Sequence, residues 1–388
     1  MTTIAPRAPR RAWVSALRAA PAGQATVPFY LLFGLIVTLN AIGLVMVLSV
    51  SSVTSLYVGQ STWFTFQRQF VWCVGGLVAM ILVLRTDYRQ WKKYANAGVA
   101  LSLLLLVAVL IPGIGTTANG ATRWIYFGPI SFQPSELSKL AMVLFAAAWL
   151  ADKKGEERST RTTIRPVLVI CCIMSGLILL QPNLGTSVLL VLIAFAALFM
   201  AGVPLLPLTG WSLFSGGAAA LAAWGSTYRR NRLAAMLDPW SDPLDTGWQT
   251  IQSRVGIASG GPSGVGLGEG RIKWGFLPEA QTDFIFAVLA EEMGWLGATF
   301  VIALFAGFVV CGIWVAVNAP DRFGQVLAAG ITVWVGAQAF VNIAAVVGVL
   351  PITGVPLPFL SVGGSALLTS MVASGMLLNI ARQIRVEP

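Results

Sequence analysis

"VPFYLLFGLIVTLNAIGLVMVLSV", residues 27–50, runs for 24 positions without one charged side chain. A helix that crosses a bilayer needs about 20 mostly apolar residues. The run does not alternate with a period of two, which is what a barrel strand would require. Comparable apolar stretches follow at 64–84, 95–112, 135–151, 166–181, 184–202, 204–225, 295–317, 324–350 and 366–382. Lipid offers backbone polar groups no partner, so only helices or closed barrels span it. The reading is an all-α polytopic membrane protein with ten transmembrane helices and both termini on one side.

Composition agrees. The chain is 56% hydrophobic and 10% charged, against about 25% charged for a soluble domain. It contains no histidine, which excludes Ser-His-Asp and Cys-His catalysis and any His-ligated metal within this chain. The four cysteines, Cys73, Cys171, Cys172 and Cys311, lie in apolar runs without CxxC spacing. They read as small core residues rather than a disulfide framework.

Basic residues set the expected orientation. Arg85, Arg89, Lys92 and Lys93 fill one short connection, and Lys153, Lys154, Arg158, Arg161 and Arg165 fill another. With these on the inner side, both termini are cytoplasmic. The layout is then a basic cytoplasmic arm (1–26, with Arg7, Arg10, Arg11 and Arg18), a membrane domain (27–383) and a short cytoplasmic tail (384–388). Between helices seven and eight lies a large extracytoplasmic loop with a re-entrant segment, 226–294. The first apolar span starts too late for a cleaved signal peptide, so it is read as retained.

That loop holds Arg229, Arg230, Arg232, Arg254, Arg271 and Lys273. Two readings stand: a solubilising face, or a site for an anionic ligand such as phosphate. Its "ASGGPSGVGLGEGR" stretch is dense in glycine. It fits flexible turns, or a nest of backbone N–H groups around an anion.

Carboxylates gather at its end. "FLPEAQTDFIFAVLAEEMGW", residues 276–295, holds Glu279, Asp283, Glu291 and Glu292 out of only 15 acidic residues. Thr282 or Asp283 is placed to cap the helix that follows. An ionised Asp283 at the border of a basic loop and an apolar helix equally suits a general base. Elsewhere, Glu136 and Lys139 are three apart at the start of the fourth span and share a helix face. A Lys there is either snorkelling or facing a cavity. Arg123 precedes Trp124 in a short outer loop rich in aromatics. It fits an interfacial belt or a substrate-phosphate contact.

"NGATRWIYFGPISFQPSELSKL", "QPNLGTSVLLVLIAFAALFMAGV", "GWQTIQS", "GVGLGEG", "FLPEAQTDFIFAVLAEEMGWLGA" and "LPITGVPLPFLSVGGSALL" occur in this order along nearly the whole chain. In this the chain resembles the SEDS family, the bacterial group that includes FtsW and RodA, and "YRRNRLAAMLDPWSDP" and "LPEA" resemble FtsW more than RodA. The resemblance implies a ten-helix glycosyltransferase of peptidoglycan synthesis. Such an enzyme polymerises lipid II at the outer face of the cytoplasmic membrane and releases polyprenyl pyrophosphate. It implies Asp283 as general base and substrate-binding roles for Arg123, Glu136 and Lys139, and Glu279, in the same carboxylate cluster as Asp283, is read beside them as a supporting substrate-binding group. It further implies a divalent cation, Mg or Mn, assisting the leaving pyrophosphate, and no organic cofactor. Expected partners are lipid II, the nascent glycan strand, a class B penicillin-binding transpeptidase and other membrane proteins of the divisome at the septum, with no nucleic acid. Three positions depart from the family pattern: Gln281 replaces a His, Asn183 an Asp and Val362 a Tyr. A lipid-linked precursor flippase, a RodA-like elongation polymerase and a catalytically silent scaffold are the competing readings.

Overall fold

The computed structural model describes residues 27–384 apart from 58–60, 119–120, 129, 154, 158 and 226. The expected arm 1–26, residues 385–388 of the tail, Lys154 and Arg158 lie outside the described residues. Each expected span coincides with a helix: α1 Val27–Tyr57, α2 Phe64–Arg85, α3 Ala95–Ala108, α4 Pro134–Ala151, α5 Arg165–Leu180, α6 Leu184–Met200 and α7 Leu205–Trp224. The large loop carries α8 Thr227–Leu237 and α9 Trp248–Gly260. The chain then continues through α10 Ile285–Asn318, α11 Arg322–Val347 and α12 Gly364–Gln383.

Among the described residues, seven helices are long and apolar enough to cross a membrane, those of α1, α2, α4, α5 with its preceding turn, α10, α11 and α12. α6 and the Leu205–Leu221 part of α7 are apolar but shorter, and α3 has 14 residues. The all-helical polytopic membrane fold is therefore present, and the count of ten spans rests on these three shorter helices.

Buried helices in such a bundle are apolar all round, so close packing is set by small residues. A Cβ on Gly375 of α12 would stand 2.7 Å from the Met80 carbonyl oxygen of α2, so glycine lets these two helices touch. α11 runs through the centre of the bundle, where Trp334 is fully buried.

Two features differ from expectation. The aromatic loop before α4 is a three-stranded antiparallel sheet, β1 Gly115–Ala118, β2 Ala121–Phe127 and β3 Ile130–Phe132, in the order β1-β2-β3. β3 runs through Gln133 into α4, where Pro134 occupies the first turn with its missing N–H at no cost. The eighth span also begins ten residues early, at Ile285, and breaks at Gly294, where φ is 69°. The break frees backbone groups inside an apolar setting, and the Gly-rich loop satisfies them. Val265 and Gly266 N–H groups donate to the carbonyls of Glu291 and Glu292 at 3.0 and 3.1 Å, and Trp295 N–H donates to Gly261 O at 2.9 Å.

One end of the bundle is tied by polar contacts among the short basic connections. Tyr88 Oη donates to Asp321 at 2.6 Å, and Arg89 pairs with the same carboxylate at 2.7 Å. Lys92 pairs with Asp152, and Arg322 with Glu157 at 2.6 Å. The large loop, the sheet and the 351–363 connection meet at the opposite end, and the candidate site lies there.

Candidate active site

The opposite end encloses a cavity of about 750 Å³. Its walls include Arg123 and Trp124 on β2, Asn231 and Arg232 on α8, the turn leading into α9, the segment before α10, and the connection into α12.

Arg123 is half-buried because its guanidinium reaches the open carbonyls between α5 and α6. Nε donates to Gln181 O at 3.0 Å, and Nη2 donates to Pro182 O. Arg232 reaches the connection into α12 and donates from Nη1 to Ile352 O at 2.8 Å. The two guanidiniums converge with Asp283 above Gly354. A Cβ on that glycine would stand 3.5 Å from Arg123 Nη1, 3.7 Å from Asp283 Oδ2 and 4.0 Å from Arg232 Nη1. With φ at 72°, Gly354 adopts a backbone that L side chains rarely take.

Asp283 precedes α10, whose N-cap is Phe284 with no side-chain cap. The capping role open to Asp283 or Thr282 is therefore not used. Burial pushes the Asp283 carboxyl up, to about 6, and the Glu279 charge adds to the rise. Arg232 and Arg123 oppose the shift without cancelling it. Such a group is mostly ionised at neutral pH yet holds a proton far better than an ordinary Asp.

Glu279 is an exposed residue at the rim of the same cavity. Its φ of 57° is unusual for a residue with a side chain. Its Oε2 accepts a 2.7 Å bond from Thr282 Oγ1, and its backbone carbonyl accepts from the N–H groups of Thr282 and Phe284.

Glu136 and Lys139 do not line this cavity. They pair at 2.9 Å in the bundle interior. Lys139 also donates to Gln338 Oε1 at 2.7 Å and lies over the Trp334 ring. Gln338 in turn donates from Nε2 to Pro356 O at 2.9 Å, and Pro356 is a cavity residue. The pair is thus linked to the site through one amide rather than placed in it.

The other carboxylates of the 276–295 stretch hold the loop in shape. Glu291 accepts from the backbone N–H groups of Arg271 and Ile272 at 2.9 and 3.2 Å. The end of the Gly-rich stretch is therefore tied to the chain's own Glu291 carboxylate. Glu292 pairs with Lys273 at 2.7 Å, both side chains buried, and accepts from Ser49 of α1. Of the six basic residues in the large loop, Arg232 faces the cavity. Arg229, Arg230 and Arg254 bond to Leu179 O, Thr227 Oγ1 and Gly348 O.

Of the three departures, the one at Asn183 has a local account, and nothing in the structure explains those at Gln281 and Val362. Asn183 caps α6 by accepting from Thr186 N–H at 3.2 Å, a role an Asp would also fill. Gln281 and Val362 meet through the backbone, Val362 N–H donating to Gln281 O at 3.0 Å. Asp245, Thr246, Trp248 and Gln249 also line the cavity, and sequence reasoning passed over them. Asp245 and Thr246 stand in a turn-rich stretch with no periodic signal and Trp248 and Gln249 open α9, so only the closure of the large loop brings them to the site.

The family model described as a cell cycle protein, FTSW_RODA_SPOVE, matches residues 29–386. The chain is 41% identical over 352 residues to "Probable peptidoglycan glycosyltransferase FtsW" of Geobacter metallireducens, covering 91% of this chain and 94% of that protein. It is 40% identical to "Stage V sporulation protein E" of Bacillus subtilis, covering 93% and 98%. Among solved structures, a chain of a peptidoglycan synthase complex, described as coordinating polymerization and crosslinking, matches with a TM-score of 0.74 at 30% identity, covering 90% and 96%. The rod shape determining protein RodA of Thermus thermophilus matches with a TM-score of 0.67 at 26% identity, covering 92% and 97%. A match along nearly the full length, stronger to FtsW than to the solved RodA, makes this chain a member of the FtsW/RodA/SpoVE family, also called SEDS.

Proposed function

We propose that this protein is a peptidoglycan glycosyltransferase that polymerises lipid II, with Asp283 as general base. The observation that carries this reading is the meeting of Arg123, Arg232 and Asp283 around one point beside Gly354. Two guanidinium forks suit the oxygens of a pyrophosphate. A carboxylate between them suits removal of a proton from a sugar hydroxyl attacking the neighbouring anomeric carbon.

The step balances as follows. The acceptor oxygen forms a bond to the donor's anomeric carbon, and the bond from that carbon to the pyrophosphate oxygen breaks. The hydroxyl proton goes to Asp283, and polyprenyl pyrophosphate leaves with its charge against Arg123 and Arg232. Holding acceptor and donor at one point removes much of the entropy barrier.

A divalent cation is compatible with the residues present. Asp283, Glu279 and Asp245 all line the cavity, although no group of three or more His, Cys, Asp or Glu among the described residues forms a metal cage. Glu279 and Asp245 would be the residues to hold an Mg or Mn ion there. Such an ion would neutralise charge on the leaving group.

The basic connections at the opposite end support placing that end, and both termini, in the cytoplasm. The cavity then faces outward at the cytoplasmic membrane. The greater likeness to FtsW supports a role at the division septum with a class B penicillin-binding transpeptidase and other divisome proteins. Purified protein, with and without the transpeptidase and Mg or Mn, should turn lipid II into glycan strands, and folded Asp283→Asn should not. Equal polymerisation by both proteins would remove Asp283 from the chemistry.

A further inference from the structure

Residues 281–283 present three consecutive backbone carbonyls, and each is held by a donor from one neighbouring layer. Val362 N–H donates to Gln281 O at 3.0 Å. Ser361 Oγ donates to Thr282 O at 2.5 Å. Asn342 Nδ2 donates to Asp283 O at 2.8 Å, and its second proton goes to Val355 O, also at 2.8 Å.

The need for these donors starts in the sequence. The connection "PITGVPLPFLSVG", residues 351–363, holds Pro351, Pro356 and Pro358 and forms no helix or strand. Its carbonyls have no ladder to join, and its prolines supply no N–H. α11 answers with two amides one turn apart, so both point to the same side. Gln338 takes Pro356 O, and Asn342 takes Val355 O. Ser361 Oγ accepts from Leu357 N–H at 2.8 Å, which leaves its own proton directed at Thr282 O. Asn342 is 2% exposed, and its Oδ1 accepts no bond among the described residues. Turning that amide over would set Oδ1 against two carbonyl oxygens, so its orientation is fixed.

We propose that Asn342 and Ser361 are positioning residues for proton transfer, holding the Gln281–Asp283 backbone so that Asp283 meets Arg123 and Arg232 across Gly354. The proposal rests on the reading of Asp283 as general base. Neither side chain would touch the reacting atoms. Each would act through the backbone that carries the base, where a misplacement of about 1 Å can cost about 10²-fold in rate.

The test compares Asn342→Leu and Ser361→Ala with Asn379→Leu. Asn379 is a buried amide at the basic end, where it holds Leu84 O and Tyr88 N–H. The readouts are kcat and KM for lipid II and the midpoint of the acid limb of the pH–rate profile, which does not depend on how much enzyme is folded. The charged groups around Asp283 are Arg123, Arg232 and Glu279. Displacing the carboxylate from the two guanidiniums should raise that midpoint by about half a pH unit or more. In Asn342→Leu, kcat should fall about 10²-fold with KM within about twofold. Asn379→Leu should lower thermal stability and leave the midpoint in place. Unmoved midpoints in both site variants would overturn the proposal. Should Asn342→Leu not fold, Ser361→Ala removes one hydroxyl and carries the same comparison.

A second arm needs no polymerisation. Asp283→Cys is alkylated with iodoacetamide across pH and read at the peptide level, alone and combined with Asn342→Leu or Ser361→Ala. A shift in the pH dependence of alkylation supports positioning, and coincident curves refute it. If the wild type makes no glycan under any condition, the glycosyltransferase reading fails, and the thiol still decides whether Asn342 and Ser361 fix residue 283.

Discussion

Lys139 Nζ lies 2.9 Å from Glu136 Oε2, and the two side chains are 0% and 1% exposed. This pair is a fully buried charge couple linked to the cavity wall through Gln338. Breaking a buried pair by removing one partner costs about 3–5 kcal/mol, because a charge is left without compensation. Lys139→Ala should therefore melt well below the wild type in detergent. The double variant Lys139→Met with Glu136→Gln should recover most of that loss. Thermal unfolding of the three proteins checks this, and a wild-type melting point for Lys139→Ala would show that the couple does not carry charge in the fold.

Burial pushes the Asp283 carboxyl up to about 6, above the ordinary Asp value of 3.8. A base must be ionised to act, so kcat should rise about tenfold per pH unit below that midpoint and level off above it. The sign for stability runs the other way. The folded state holds this proton more tightly than the unfolded chain, so stability should fall as pH rises between about 4 and 6. Asp283→Asn should remove that segment of the pH dependence while abolishing glycan synthesis. A profile flat across pH 5–7 in wild-type enzyme would contradict the assignment.

The break in α10 depends on two glycines from separate parts of the chain. A Cβ on Gly264, at φ 82°, would stand 2.1 Å from Glu292 O, and one on Gly294, at φ 69°, would stand 2.4 Å from Pro262 O. Both obstacles are backbone and neither can swing aside. Gly264→Ala or Gly294→Ala should destabilise the fold by more than the strain of about 1–3 kcal/mol expected from a positive-φ backbone alone. Gly261→Ala, at φ 55° with nothing near its Cβ position, should show only the strain. Melting temperatures of the three variants separate the two costs.

The spans were legible because lipid imposes one rule on every residue of a crossing helix. The expected 64–84 and 184–202 became α2 Phe64–Arg85 and α6 Leu184–Met200. The sheet was less visible, since its strands are short and lack a clear period. The signal available was Asn119-Gly120, the two residues between β1 and β2, which is a hairpin sequence. In the site, Asp283 stood out as a carboxylate at a polar–apolar border. Arg232 did not, because it is one of six basic residues in one loop, and only the fold of α8 selects it. Gln338 and Asn342 carried a readable sign, two amides four apart inside an apolar helix.

Arg123 uses part of its guanidinium on two scaffold carbonyls, Gln181 and Pro182, and Arg232 uses part of its own on one, Ile352. Each therefore joins a wall of the cavity to the point where Asp283 arrives. Arg123→Lys and Arg232→Lys keep the charge and lose the fork, so a single nitrogen must choose between carbonyl and phosphate. KM for lipid II should rise about tenfold in each, and further in the alanine variants. Losses at two residues that grip one pyrophosphate should not add independently, so a double-mutant cycle should show coupling of about 0.5–3 kcal/mol. Inorganic pyrophosphate should inhibit the wild type and lose potency in the same order. Additive losses together with unchanged inhibition would separate the two arginines and leave them as braces of the sheet and α8.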